Sequence, residues 1–446
     1  MSHYKPYPTY KDSGVEWLGR VPEHWDIQRV RSLVDSAQNG IWGDDPDGGA
    51  DDIPCARVAD FDRNSFTVKG ELPTLRKVPE AQRLSRQVNP GDLLIEKSGG
   101  GEQTTVGVVV QYQGERSVIC SNFVAVVKPK KGIFPRWLCY TNAHLYSVGV
   151  NVRSIKQTTG IQNIDSDQYF SERVAVPPES ERQAIGAHLD RETARIDALI
   201  EKKTRFIELL REKRQALITH AVTKGLDPNV KMKDSGVEWL GEVPEQWAVC
   251  KLSFRYSVEL GKMLDEKRIT STSLMPYLRN QDVQWDAVNT EALPEMDIYP
   301  DELLRYTVRA GDLLVCEGGD VGRAAIWRGE NDVIGYQKAL HRLRPRNDAT
   351  DTAEFFFFAL MTAKVRGVFE ESDSKATIAH LPAEKFRQYR FAFPPAHEQR
   401  DIASHIRTHA QRLDTVQLKT ERSIDLLKER RSALITAAVT GQIDLR

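Results

Sequence analysis

The sequence predicts an α+β fold built twice: two mixed α/β heads, each followed by a long helix, with the two helices pairing as an antiparallel coiled coil in pseudo-twofold fashion. Two observations predict it. First, residues 11–25 (KDSGVEWLGRVPEHW) return at 233–247 (KDSGVEWLGEVPEQW), changed only at Arg20/Glu242 and His24/Gln246. The echo continues in GDLLIEKSGG (91–100) and GDLLVCEGGD (311–320), in VPPESERQAI (176–185) and FPPAHEQRDI (393–402), and in REKRQALITHAVTKG (211–225) and KERRSALITAAVTGQ (428–442). Second, a charged, proline-free stretch with apolar residues at heptad spacing closes each copy. The repeat divides the chain into a head at 1–178, a central helix at 179–226, a second head at 227–395 and a C-terminal helix at 396–446. A tandem duplication of this kind favours pseudo-twofold symmetry and partners that also come in twos.

Composition narrows the class. At 446 residues the chain exceeds one ordinary core, and 40% hydrophobic with 28% charged residues is a globular composition. The longest apolar run, Phe355–Met361, is far short of a bilayer span, so no membrane partner is expected. The first residues, MSHYKPYPTYKDS, lack the apolar core of an export signal. Cys55, Cys120, Cys139, Cys250 and Cys316 have no CxxC spacing, which argues against a disulfide framework or zinc site and fits a reducing, cytoplasmic setting. A formal charge of −1 means that any nucleic-acid binding must use local basic patches or a basic partner.

Each copy opens with SGVEWLG-x-VPE-x-W, a Gly- and Pro-punctuated turn expected to pin two tryptophans into a core. Next, VGVVVQYQG (106–114) and SVICSNFVAVVKP (117–129) read as a hairpin, with VGRAAIWRG (321–329) and DVIGYQKALHRLRP (332–345) as its counterpart. Helices are expected over Pro135–Tyr146 and Ala353–Phe369. The long helices run from Ser180 to about Lys224 and from His397 to about Thr440. Ser180 with Gln183 has the form of a capping box, and Gly225 and Gly441 suit the ends. Leu189, Ile196, Leu210 and Leu217 form a heptad seam interrupted at Lys203; Ile406, Leu413, Leu427 and Leu434 form another, interrupted at Thr420. Leu199, Phe206, Val416 and Ile424 are expected to complete it. Helices of about 65 Å with so narrow an apolar stripe suit one partner helix each, most simply one another; the alternative is that each packs on its own head.

A search for chemistry finds little. There is no GxxxxGK[ST], and SGGGEQTTVG (98–107) lacks the Lys-Ser/Thr ending, so it reads as a loop between strands. Asp92, Glu96 and Lys97 are spaced too tightly for a nuclease centre, and Cys316 replaces Glu96 in the second copy; Asp92 and Asp312 read as turn residues starting a strand. The Pro-Pro pairs follow Val176 and Phe393, not the Asn used to hold a target adenine. The histidines form no HExxH motif; His188 and His405 read as helix-packing residues, and no metal ligands are expected.

What remains is a binding signature. In the second head Lys338, Arg342 and Arg344 share one strand face by period two, beside Gln337, with Arg323 and Arg328 nearby. Arg279, Asn280 and Gln281 sit at a strand-to-loop transition. In the first head Arg57, Lys97, Ser98, Gln103, Thr104, Thr105 and Asn122 occupy comparable places. KQTTG (156–160) and SKATI (374–378) precede the last strand of each head and offer Lys156, Thr158, Thr159, Lys375 and Thr377 to phosphates. Arg, Asn and Gln can read purine edges bidentately, while Lys and Arg neutralise the backbone. The copies agree in the Trp segments and helix ends. They differ in the loops, where residues 95–105 of the first copy answer to 315–320 of the second, five more. Such divergence suits two heads reading two different short sequences.

The order head, helix, head, helix, the KDSGVEWLG-x-VPE-x-W openings (preceded by Tyr10 in the first copy), GDLL…EGG…VG and PP-x-x-EQ before the helix together resemble the specificity (S) subunit of Type I restriction-modification systems, over essentially the whole chain. The first head departs from the pattern at EKSGGGEQTTVG, and ERQ (181–183) replaces EQR. The resemblance implies that each head is a target-recognition domain reading half of a split, asymmetric site in double-stranded DNA. The paired helices would space the half-sites and dock two methylation (M) subunits, which bring S-adenosylmethionine and methylate an adenine in each half-site. Restriction (R) subunits would add ATP- and Mg-dependent translocation and cleavage. It implies no catalytic residue and no cofactor in this chain. The alternatives are a self-contained methyltransferase or nuclease, which the missing motifs disfavour, and a coiled-coil scaffold that binds only proteins, against which stands the basic face of Lys338, Arg342 and Arg344.

Overall fold

A computed structural model describes residues 4–100, 104–158, 160–264, 272–329, 333–370 and 380–446. The fold is α+β and forms two compact units: Met1–Arg205 with Thr420–Arg446, and Phe206–Lys419. Each unit therefore contains one head together with part of both long helices, Glu179–Lys224 and Ala396–Val439.

In the first unit a six-stranded sheet runs in the order Val34–Asn39, Val124–Pro129, Leu93–Glu96, Val109–Gln111, Thr67–Val68, Phe61–Asp62. All its pairings are antiparallel except that of Val109–Gln111 with Thr67–Val68. Because side chains alternate across a strand, Leu93 and Ile95 face one core and Leu94 the other. The first core is closed by the helix Pro135–Ser147, the start of the first long helix (Ile185, Leu189) and the end of the second (Leu434, Ile435, Ala438). Trp25 is fully buried there, as the turn motif predicts, and the segment around it also forms a small sheet, Tyr10–Asp12 with Arg20–Pro22. Trp25 Nε1 and the Tyr7 hydroxyl both donate to the Glu181 carboxylate, at 3.0 and 2.9 Å, which ties the Trp segment to the first turn of the long helix.

The second unit repeats the plan. Its four-stranded antiparallel sheet runs Tyr256–Leu260, Leu340–Pro345, Leu313–Cys316, Ala324–Ile326. Leu313 and Val315 face a core with Trp247, the aromatic helix Ala353–Val365 and parts of both long helices, while Leu314 and Cys316 face the other way.

Four expectations need correction. The stretches 106–114 and 117–129 do not form a hairpin: Leu93–Glu96 lies between Val109–Gln111 and Val124–Pro129, and Ile119–Cys120 pairs in parallel with Asp52–Ala56. The second head does the same, Leu313–Cys316 separating Ala324–Ile326 from Leu340–Pro345. Next, Ser180 is not a cap. The helix starts at Glu179, and the Pro178 carbonyl accepts the first intrahelical bond from Arg182 at 3.0 Å. The far ends follow the glycine rule, Gly225 and Gly441 both adopting positive φ. Finally, the seam is only partly as read. Leu189, Ile196, Leu210, Ile406, Leu434, Ile424 and Thr420 are buried, and Leu217, Leu413 and Leu427 are half-buried. Leu199, Phe206 and Val416 are exposed, and Ile207 takes a buried place instead. The aromatic helix also ends at Val365, short of Phe369.

Candidate nucleic-acid interface

In the first head Arg57, Ser98 and Asn122, distant in sequence, line one open cavity of about 520 Å³ with Trp42, Val58, Ala59, Glu96, Gly99, Gly100, Ser121 and Phe123. Strand ends and tight turns build it. Gly40 is required where the chain passes the Cys120 carbonyl, since a Cβ there would sit 2.2 Å from that oxygen. The Gly40 and Ile41 amides bond the Val124 and Cys120 carbonyls at 2.8 Å each, and Val124 N–H closes a turn on the Ser121 carbonyl at 3.0 Å. That turn presents Asn122 and Phe123 to solvent.

The same bonds recur in the second head. Gly261 and Lys262 bond the Leu340 and Tyr336 carbonyls at 3.1 and 2.9 Å, and Leu340 N–H closes on Gln337 at 2.9 Å. Lys97 N–H bonds the Phe123 carbonyl at 2.8 Å, and Glu317 N–H bonds that of Ala339 at 3.0 Å. So Ser121-Asn122-Phe123 corresponds to Gln337-Lys338-Ala339. Likewise Arg57 and Arg279 each precede a short helical turn, their amides bonding Asp60 and Asp282 at 2.8 Å. The backbone of the cleft is held constant while its side chains change.

Several predicted residues brace these walls. Arg279 donates Nε and Nη2 to the Asp282 carboxylate, each at 2.8 Å, whereas Arg57 stands 3.6 Å from Asp60. Asn280 spends its amide on the Gly318 carbonyl at 2.9 Å and accepts from Arg323 at 3.0 Å. Lys97 bonds Asn39 at 2.8 Å, and Ser98 bonds Asn163 across a short strand pair that continues to Lys156, itself 2.6 Å from Asp165. Thr105 faces inward, near the Tyr146 hydroxyl and the Asn151 amide. Thr104, Asn122, Gln281 and Lys338 are exposed. Thr158 ends the strand Ile155–Thr158; Gln103, Thr159, Lys375 and Thr377 lie outside the described residues.

The basic face expected of the second head is not presented to solvent at Arg342 and Arg344. Arg342 is buried and donates Nη1 to the carbonyls of Arg305 and Thr307, at 2.9 and 2.6 Å, with its guanidinium 5.4 Å from the Tyr336 ring. Arg344 grips the buried Asp312 carboxylate at 2.5 and 2.8 Å. Period two does place them on one face, but that face meets a turn whose carbonyls need donors. Lys338 sits in the turn before the strand, and Arg328 pairs with Asp286 and Glu354.

The aromatics Trp42 and Phe123 were not legible as site residues, although Trp42 follows the same glycine that marks the second cleft at Gly261. Glu96 at the cavity floor takes Arg63 at 2.9 Å, and burial raises its pKa above the usual carboxylate range. Asp92 and Asp312 are the turn residues expected, bonding the Asn89 and Arg309 amides at 2.8 Å.

A second kind of hollow lies where each head meets the helices. In the first unit it is lined by Phe66, Asp197, Arg431 and Ile435 among others, with a volume of about 420 Å³. In the second, Asp286, Asp414 and Arg214 line one of about 740 Å³. Arg431–Asp197 (3.0 Å) and Arg214–Asp414 (3.3 Å) are the matching ion pairs.

Comparison with known proteins agrees with this plan. Residues 244–424 match the Type I restriction modification DNA specificity domain. The chain is 22% identical to the Type I restriction enzyme EcoKI specificity subunit of Escherichia coli (strain K12), over 95% of this chain and 90% of that one. It is 21% identical to the MjaVIII specificity subunit of Methanocaldococcus jannaschii, over 96% and 95%. Among solved structures, a chain from work on complex assembly and conformational transition of the type I R-M system has a TM-score of 0.70 at 15% identity, covering 94% of this chain and 98% of that one. The HsdS subunit from Thermoanaerobacter tengcongensis has a TM-score of 0.59 at 13% identity, covering 95% and 98%. Both share the fold. No helix among the described residues is long and apolar enough to cross a membrane.

Proposed function

We propose that this chain, which belongs to the family of Type I restriction-modification specificity (S) subunits, reads a bipartite, asymmetric DNA target with one head per half-site and has no catalytic role of its own. The observation that carries this reading is the pair of clefts: identical backbone bonding around Gly40 and Gly261 presents different side chains. A scaffold kept constant under changed contact residues is what two readers of different sequences require.

The long helices, 46 and 44 residues, are about 69 and 66 Å long at 1.5 Å per residue. We take them as an antiparallel coiled coil that fixes the gap between half-sites, which recur on one face of B-DNA every 34–36 Å or so. The ion pairs Arg431–Asp197 and Arg214–Asp414, and the buried Ile196, Ile207 and Ile424, support the pairing. Leu199, Phe206, Leu209, Val416, Leu418 and Leu426 are exposed apolar side chains on these helices, suited to two M subunits. S-adenosylmethionine would be held by the M subunits, and ATP and Mg by R subunits, with the complex working in the cytoplasm. A near-neutral chain, formally −1, fits a complex in which partners supply much of the positive surface that DNA needs.

Sequencing the methylated positions in cells that express this chain with its M partner tests the proposal. The expected outcome is one asymmetric motif in two parts with an unspecified spacer. A contiguous or palindromic motif, or methylation and cleavage by the purified chain alone, overturns it.

A further inference from the structure

We propose that the cleft of the first head recognises a thymine by its C5 methyl group in the major groove, through Phe123 and Trp42, while the equivalent cleft of the second head reads by hydrogen bonding. This rests on the DNA-reading role proposed above. The two clefts are equivalent by their backbone bonds, so their side chains compare place for place. The first head sets Val58, Ala59 and Phe123 where the second sets Asn280, Gln281 and Ala339. The polar pair has been replaced by methyl groups and the small residue by a ring.

Phe123 and Trp42 remain 46% and 38% exposed, in a chain that buries most of its large aromatics. An open apolar surface of this kind is stabilised by a partner that covers it. Its surroundings suit DNA: Arg57 lines the wall and Lys97 is bonded beside Phe123, while Arg76, paired with Asp45 and with the Trp42 and Gly43 carbonyls, stacks on the Trp42 ring and holds it in place. Cations beside an apolar centre match phosphates flanking a base edge. Of the four base pairs, those with thymine present a methyl group in the major groove, and phenylalanine is a known type of contact for it. In the second head Gln281 and Lys338 are exposed at the corresponding places and offer donors to purine acceptors.

The test uses the complex of this chain with its M subunits and the duplex defined by its own methylation marks. Each thymine of the first head's half-site is replaced in turn by deoxyuridine, which removes only the methyl group. At one position affinity should fall about fourfold, the worth of one buried methyl group. Phe123→Ala should erase that difference and leave thymines of the other half-site unaffected; Trp42→Ala should reduce it. Equal affinity for thymine and deoxyuridine throughout the half-site, or a difference that persists in both variants, overturns the inference. So does an equal loss on both duplexes in Phe123→Ala, which would mark the ring as a wedge between stacked bases. In each of these cases retention of the cognate over a scrambled duplex leaves the specificity role standing. A complex that does not discriminate cognate from scrambled DNA overturns both.

Discussion

Arg342 and Arg344 carry their charges into the interior of the second head, so their loss should register as instability. Removing Arg342 takes one donor from the carbonyls of Arg305 and Thr307, leaving them to the Tyr336 hydroxyl and Arg344, and empties the place of a buried guanidinium. Arg342→Ala should cost about 2–4 kcal/mol in chemical denaturation. Arg344→Ala removes the ion pair of the buried Asp312 carboxylate, leaving it chiefly the Arg309 amide, and should cost a similar amount. Lys338→Ala, at an exposed turn, should stay within about 0.5 kcal/mol yet weaken DNA retention in a salt-dependent way. Two histidines predict the response to acid. Burial holds His144, in the first head, and His341, in the second, at a pKa of about 4. Their unfolded rings take a proton near pH 6.5, so the stability they contribute is full above that pH and is lost as pH falls from about 6.5 towards 4. Thermal midpoints followed from pH 7.5 to 4.5 should fall over this window, and less steeply in a His144→Gln, His341→Gln double variant.

At the scale of elements, the two units fasten head to helix by the same geometry with opposite charges. In the first, Arg136 on the head helix binds Asp190 on the first long helix; in the second, Glu354 takes the place of Arg136 and Arg407 that of Asp190. A charge-reversed clamp favours each head on its own helix and disfavours exchange. Asp190→Arg should therefore destabilise the first unit by roughly 1–3 kcal/mol, and adding Arg136→Glu should recover part of it. A denaturation double-mutant cycle measures the coupling; additive losses would show that the pair contributes no specificity. The duplicated Trp segments, the long helices and their glycine ends were legible because they rest on local pattern. The strand order was not, since Ile119–Cys120 finds its partner in Asp52–Ala56, more than sixty residues back, a pairing no local spacing reports. The seam was legible at Leu189, Ile196 and Ile406 and misread at Leu199 and Phe206, because nothing in a heptad says which flank meets its own head and which meets solvent. In the candidate cleft Arg57, Ser98 and Asn122, expected to touch DNA, share one wall with Trp42 and Phe123, which the sequence did not single out because an aromatic in a loop reads first as core.

For the molecule as a whole, the consequence of the proposed design is separability: heads set which bases are read, helices set how far apart. Removing one heptad from each long helix, for example Lys203–Leu209 with Thr420–Leu426, keeps the apolar repeat in phase and shortens each by about 10 Å. B-DNA rises about 3.4 Å per base pair and turns once in about 10.5 pairs. A helix shortened by 10 Å therefore corresponds to about three base pairs of length and about a third of a turn of phase. The two demands conflict, so the shortened chain should accept a spacer changed by a few pairs only with reduced affinity, while both half-site sequences stay as they were. Methylation motifs from cells expressing the parent and shortened chains measure this directly. An unchanged spacer would show that the helices are not the ruler; changed half-site bases would show that the heads do not read alone.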